Sequence, residues 1–151
     1  MRPPEKTEAG ERVTLECTLT IIKPDGVAQG NIGDIIRLFE ANRFKIKAAR
    51  MLHLTQAQAE GFYAVHRQRK FFNDLTTYMS SGPILVLVLE GEKVINRLRE
   101  LMGATDPKKA AGGTIRQLYA TSIEKNVIHG SDGPETARTE INYFFNTLEL
   151  V

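Results

Sequence analysis

Among the 151 residues, the run Asn126-Val127-Ile128-His129-Gly130-Ser131-Asp132 concentrates side chains capable of chemistry. His129 closes a short apolar run that reads as a strand around Val127 to His129. Gly130 beside it lets a ligand approach the backbone closely. The next residues, Asp132-Gly133-Pro134-Glu135, combine an Asp cap, an early proline and a glutamate three residues on, the signature of a helix start. A helix N-terminus attracts anions through its dipole and its outward N–H groups. A neutral imidazole is nucleophilic near pH 7 without a separate base, so a histidine in this place is positioned to meet phosphate. Taken alone, the same histidine also reads as a satisfied polar residue at a strand edge.

Competing chemistries lack their residues. Gly-Lys occurs nowhere, which removes the phosphate loop of the Walker type, and no Gly-x-Gly follows a strand, which removes the dinucleotide fingerprint. The three histidines, His53, His66 and His129, stand at intervals unlike those of metal ligands, and Cys17 is the sole cysteine. The glycines around Ser131 are one residue out of place for a serine-hydrolase elbow.

The elements that must carry His129 follow from hydrophobic spacing. Leu15, Cys17, Leu19 and Ile21 alternate with Glu16, Thr18 and Thr20, predicting a half-buried strand that ends at Lys23-Pro24-Asp25-Gly26. Ile32, Ile35, Ile36 and Phe39 mark one face of a helix. Phe44, Ile46 and Ala48 against Lys45 and Lys47 predict a second strand. Thr55 caps a helix carrying Ala59, Phe62 and Tyr63, and another short helix begins near Phe72. After Ser81-Gly82-Pro83, the stretch Ile84 to Leu89 is apolar at every position, as a strand covered on both faces requires. Val94, Ile95, Leu98, Leu101 and Met102 form a further helical stripe. Gly103 to Gly113 is a long loop of the kind that is usually functional or mobile, and Ala137, Ile141 and Phe144 line the last helix. The order predicts an α/β chain of the α+β sandwich type: a ferredoxin-like βαββαβ core with an antiparallel four-stranded sheet covered by helices.

A chain of this length buries one core. Residues 1–12 are charged and proline-bearing, the composition of a flexible arm, leaving 13–151 as one domain. A net charge of only +2 is not the footprint of a dedicated nucleic-acid binder. The apolar stretch Ile84 to Leu89 is too short to span a bilayer, and the N-terminus lacks the apolar centre of a signal peptide. With a lone cysteine, these features point to a reducing, cytoplasmic setting.

The block Asn-x-x-His-Gly-Ser-Asp resembles the signature of the nucleoside diphosphate kinase family. The resemblance extends through Lys23-Pro24-Asp25-Gly26, Phe71-Phe72, Ser81-Gly82-Pro83, Gly103-Ala104-Thr105-Asp106-Pro107 and Gly113-Thr114-Ile115-Arg116, in family order from Leu15 to Val151. It implies a ping-pong phosphotransferase, in which Nδ1 of His129 takes the γ-phosphate of a nucleoside triphosphate and yields it to a nucleoside diphosphate. By the same resemblance Glu140 holds the other side of the ring. Lys23, Arg99 and Arg116 surround the phosphates, Thr105 donates its hydroxyl to one, and Tyr63 lines the pocket near the histidine. Phe71 stacks on the base with Ile123 opposite, and Lys23 and Asn126 hold the sugar. Two adjacent phenylalanines cannot both point inward from one helical face, so one of Phe71 and Phe72 is expected outside. The resemblance also implies Mg²⁺ carried on the nucleotide phosphates with no protein metal site, and a homo-oligomer, with the short C-terminal tail favouring a tetramer over a hexamer. Two positions depart from the pattern. Lys70 stands where a proline is common, and Gln117-Leu118 stands where Gly-Asp is common. A non-catalytic nucleotide- or RNA-binding module on the same sandwich is the rival reading, as is a phosphatase or protein kinase working through the same phosphohistidine.

Overall fold

The computed structural model describes residues 5–6 and 12–151. The arm expected over 1–12 lies outside the described residues, apart from two short strands, β1 (Glu5–Lys6) and β2 (Arg12–Val13), which pair antiparallel. The chain then runs through β3 (Leu15–Ile22), α1 (Pro24–Ala28), α2 (Ile32–Ala41), β4 (Lys45–Leu52), α3 (Gln56–Phe62) and α4 (Phe72–Met79). It continues through β5 (Ile84–Glu92), α5 (Val94–Met102), α6 (Ile115–Tyr119), β6 (Ile128–Gly130) and α7 (Pro134–Phe144). Single 3-10 turns occupy Ala64–His66, Pro107–Lys109 and Thr147–Glu149.

Strands β4, β5, β3 and β6 lie side by side in that order, every pair antiparallel. With α2 joining β3 to β4 and α5 joining β5 to β6, this is the ferredoxin-like βαββαβ sandwich that the element order predicts. Strand β5 is apolar from Ile84 to Leu89 because both of its faces are covered there. Ile84, Val86 and Val88 face a core shared with α3, α4 and α7. Leu85, Leu87 and Leu89 face a second core shared with α2, α5 and α6. A residue period of two along the strand sends neighbours to opposite cores.

Four local features differ from the sequence expectation. Phe44, Ile46 and Ala48 do not share a face. The register with β5 shifts between Ile46 and Ala48, and this bulge at Lys47 turns Ile46 toward one core and Ala48 toward the other. Lys23-Pro24-Asp25-Gly26 does not merely end β3, because Pro24 opens the short helix α1 with its fixed φ at the first helical position. Helix α7 is capped by Gly133 and not by Asp132, and no side chain accepts from its first turn. Helix α6, which the spacing leaves inside a loop region, is announced by Thr114, whose hydroxyl accepts the Gln117 N–H.

The burial of Leu87 between the sheet and the second core predicts that Leu87→Ala costs about 2–5 kcal/mol through lost contacts and a residual cavity. Urea unfolding should show a lower midpoint with an unchanged slope, whereas Leu118→Ala on the exposed face of α6 should stay within about 0.5 kcal/mol of the parent.

Candidate active site

His129 sits on the short edge strand β6, opposite Ile21 of β3. Its carbonyl accepts from Thr20 Oγ1 at 2.8 Å, and the Ser131 N–H continues the pairing to the Leu19 carbonyl at 3.1 Å. The backbone under the imidazole is therefore held on both sides. His129 Nε2 lies 2.9 Å from Glu140 Oε1, on α7. A carboxylate oxygen can only accept here, so the ring proton sits on Nε2 and the Nδ1 lone pair is left free. Ser131, fully buried, donates to the same Glu140 oxygen at 2.6 Å. The rings of Phe62 and Tyr63 stand edge-on to the imidazole, with centroids 5.5 and 6.3 Å away, and limit its tilt.

The imidazole opens into a cavity of about 460 Å³ walled by Lys23, Arg99, Thr105, Arg116, His129 and Glu140 among others. Six of the ten residues singled out in the sequence thus share one wall. Arg116 is braced by three carbonyls: its Nε donates to Asn126, one terminal nitrogen to Gly103 at 3.0 Å and the other to Ile128 at 2.9 Å. Arg99 reaches the Gly130 carbonyl at 3.4 Å. Burial, followed by repulsion from Arg99, pulls the Arg116 guanidinium below its ordinary range. Lys23 Nζ donates to Asn126 Oδ1 at 2.8 Å. Burial first, and then the charge of Arg116, push the Lys23 ammonium down to about 8, partly opposed by Asp25. Three cations thus share one cavity, with Glu140 engaged by His129 and Ser131, and Lys23 and Arg116 lie in mutual repulsion, an arrangement that favours an anionic ligand.

The backbone beneath this cluster is strained. Val127 adopts φ 75°, unusual for a β-branched residue, and the Ile128 N–H closes onto the Asn126 carbonyl at 2.9 Å in a tight γ-turn. Val127 is fully buried and its carbonyl accepts the Lys23 N–H at 2.9 Å, so the surrounding structure holds the turn in place.

The other four expected residues stand outside that wall. Asn126 is buried behind Lys23. Tyr63 is buried in the core, its hydroxyl without a hydrogen-bond partner, behind the histidine instead of in front of it. Phe71 and Ile123 are 43% and 53% exposed, while Phe72 is buried, which is the division expected of the paired phenylalanines. The cavity is also lined by residues given no role in the sequence, among them Val65, Thr136 and Thr139. The titratable one is His66, which ends the 3-10 turn, lines the wall and lies 5.5 Å from the Phe71 ring. It stands in no motif that could have pointed to it. Of the two departures from the family pattern, Gln117 has a visible task, since its side chain accepts the Gly113 N–H at 3.1 Å and closes the turn into α6. Lys70 is exposed.

The family model described as nucleoside diphosphate kinase matches residues 16–150. The chain belongs to the nucleoside diphosphate kinase family. A nucleoside diphosphate kinase of Desulfosudis oleivorans is 61% identical over 137 residues, covering 91% of this chain and 99% of the relative. One from Nitratidesulfovibrio vulgaris is 58% identical with the same coverage. The crystal structure of the Aquifex aeolicus nucleoside diphosphate kinase superposes with a TM-score of 0.90 at 45% identity, over 91% of this chain and all of that one. The Halobacterium salinarum nucleoside diphosphate kinase, solved in complex with CDP, gives 0.87 at 38% identity, over 91% of this chain and 92% of that one. Nucleoside diphosphate kinases use divalent cations. Among the described residues no group of three His, Cys, Asp or Glu side chains could hold a metal ion. No helix among the described residues is long and apolar enough to cross a membrane.

The lowered Lys23 pKa sets an expectation for pH. The group is a cation below about 8 and neutral above it, so affinity for a nucleoside diphosphate should weaken as pH rises from about 7 to about 9. Calorimetric titration should show that weakening in the parent and lose it in Lys23→Met, which should bind poorly at every pH. An identical pH dependence in both proteins would contradict it.

Proposed function

We propose that His129 is the phosphoryl carrier through which this chain, a phosphotransferase of the nucleoside diphosphate kinase family, moves the γ-phosphate of a nucleoside triphosphate to a nucleoside diphosphate in ping-pong fashion. The observation that carries the reading is the hydrogen bond from Nε2 to Glu140, which leaves Nδ1 as the nucleophilic nitrogen. The Nδ1 lone pair attacks the γ-phosphorus, the bond to the bridging β-oxygen breaks, and the diphosphate leaves with that electron pair. The imidazole keeps its Nε2 proton, and the positive charge it gains is met by the Glu140 carboxylate. A second diphosphate reverses the step in the same cavity.

Phosphoryl transfer is mainly positioning and charge neutralisation, which accounts for the cations. Arg116 and Arg99, already braced by carbonyls, offer their remaining N–H groups to the phosphates. Lys23 contributes its ammonium, Thr105 its hydroxyl, and Asn126 with Lys23 the sugar contacts. Exposed Phe71, with Ile123 opposite, offers the base an aromatic face, a contact tolerant of base identity. Tyr63 backs the imidazole. Mg²⁺ suits the role of the divalent cation, held by phosphate oxygens and water, where it neutralises charge developing on the transferring group. Residues 13–151 form the catalytic unit, with 1–12 as an arm, working in the cytoplasm as a homo-oligomer for which a tetramer is favoured.

Replacing His129 by Ala should abolish turnover with ATP and a nucleoside diphosphate while leaving calorimetric affinity for the diphosphate within about threefold, since the binding groups remain. Turnover undiminished in that variant would refute the assignment.

A further inference from the structure

Two ionisable groups, the buried Asp25 and the half-buried Tyr78, take no part in the transfer described above, yet they meet two residues from Lys23. Helix α1 starts with Lys23 as its N-cap and no side-chain cap of its own. The Tyr78 hydroxyl, reaching over from α4, supplies the missing partner. It accepts the Asp25 N–H at 3.0 Å and donates to Asp25 Oδ1. The other carboxylate oxygen of Asp25 is buried without a hydrogen-bond partner. A buried carboxylate with one bare oxygen is costly to keep unless its charge is used.

The neighbour that uses it is Lys23. Asp25 is the group whose charge favours the protonated ammonium against burial and Arg116. The turn joining the two residues has no slack. The Lys23 carbonyl accepts the Val27 N–H, and its N–H is tied to Val127. A side chain at Gly26 would place its first carbon 2.9 Å from Ile22 Cγ2 and 3.1 Å from Val127 Cγ2. The first turn of α1 therefore abuts the strained γ-turn that carries Asn126. We propose that the Tyr78–Asp25 pair is a positioning device for Lys23: Tyr78 fixes the first turn of α1 through its two hydrogen bonds with Asp25, and the Asp25 carboxylate, two residues along that turn, offsets the crowding of Lys23 by Arg116. The proposal rests on the reading that Lys23 meets the phosphates.

The other titratable groups around that cavity are His66 on the 3-10 turn, Arg99 on α5, Arg116 on α6, His129 on β6, Asp132 before α7, and Glu135 and Glu140 on α7. None of them belongs to α1 or α4, so a change at Asp25 or Tyr78 reaches Lys23 without touching them. The test uses Asp25→Asn and Tyr78→Phe in the full chain, with two readouts. One is the titration of Lys23 Nζ by nitrogen-15 NMR without nucleotide, assigned by its loss in Lys23→Arg. The other is the pH profile of kcat/KM.

In Asp25→Asn the Lys23 midpoint should fall by about one pH unit, and the alkaline limb of kcat/KM should move with it. Loss of stability alone would leave both midpoints in place. In Tyr78→Phe, which keeps the ring and the Asp25 charge, kcat/KM should drop about tenfold from misplacement while the Lys23 midpoint stays. An unmoved Lys23 midpoint in Asp25→Asn, or full kcat/KM in Tyr78→Phe, overturns the proposal. A shifted midpoint with an unmoved kcat/KM limb upholds the hold of Asp25 on Lys23 and refutes the role given to Lys23 in transfer.

Discussion

The 2.9 Å hydrogen bond from His129 Nε2 to Glu140 Oε1 fixes which ring nitrogen keeps its lone pair, and much of the fold serves to hold its two ends. One end rides on β6, whose three residues are paired to β3 and whose backbone is pinned again by Thr20 and by Ser131. The other end rides on α7, which lies on β3 through Ala137, Ile141 and Phe144. Ser131 joins the two by donating to the same carboxylate oxygen. In the role proposed for it, an imidazole held this way would lose little freedom on reacting, because its tautomer and tilt are set before substrate arrives.

The cavity in front of that ring is arranged against its own stability. Lys23 and Arg116 are both buried, and repulsion among cations adds to the desolvation that pulls each below its ordinary pKa. The backbone that supports them passes through the positive φ of Val127. Such costs are tolerated where surrounding packing over-determines the geometry, and under the proposed function they would turn into attraction for the incoming phosphate. The carbonyls that brace Arg116 matter for the same reason. They fix the guanidinium without cancelling its charge, so its remaining donors are already aimed.

The sequence exposed the parts of this arrangement that depend on local pattern. Period-two alternation and one uniformly apolar run were enough to place β3 and β5, and helical stripes placed α2, α5 and α7, so the ferredoxin-like order could be assembled without coordinates. The motif around His129 named the proposed nucleophile, and the family resemblance named the cations that line the same cavity. What pattern could not express were features set by contacts distant in sequence. The bulge at Lys47 divides Ile46 from Ala48 because two cores compete for one edge strand. The cap at the start of α7 fell to Gly133 because Asp132 turns into the cavity wall. His66 carries no motif of its own and becomes a wall residue only when the turn after α3 folds it beside Phe71.

The proposed chemistry turns on one nitrogen atom. Phosphorus-31 and nitrogen-15 NMR of the protein after brief exposure to ATP, with the diphosphate removed, would locate the phosphate on the imidazole directly. The expected product is a single phosphohistidine at position 129 with phosphorus bonded to Nδ1 and Nε2 still protonated against Glu140. Phosphorus on Nε2, or on any residue other than His129, would contradict it.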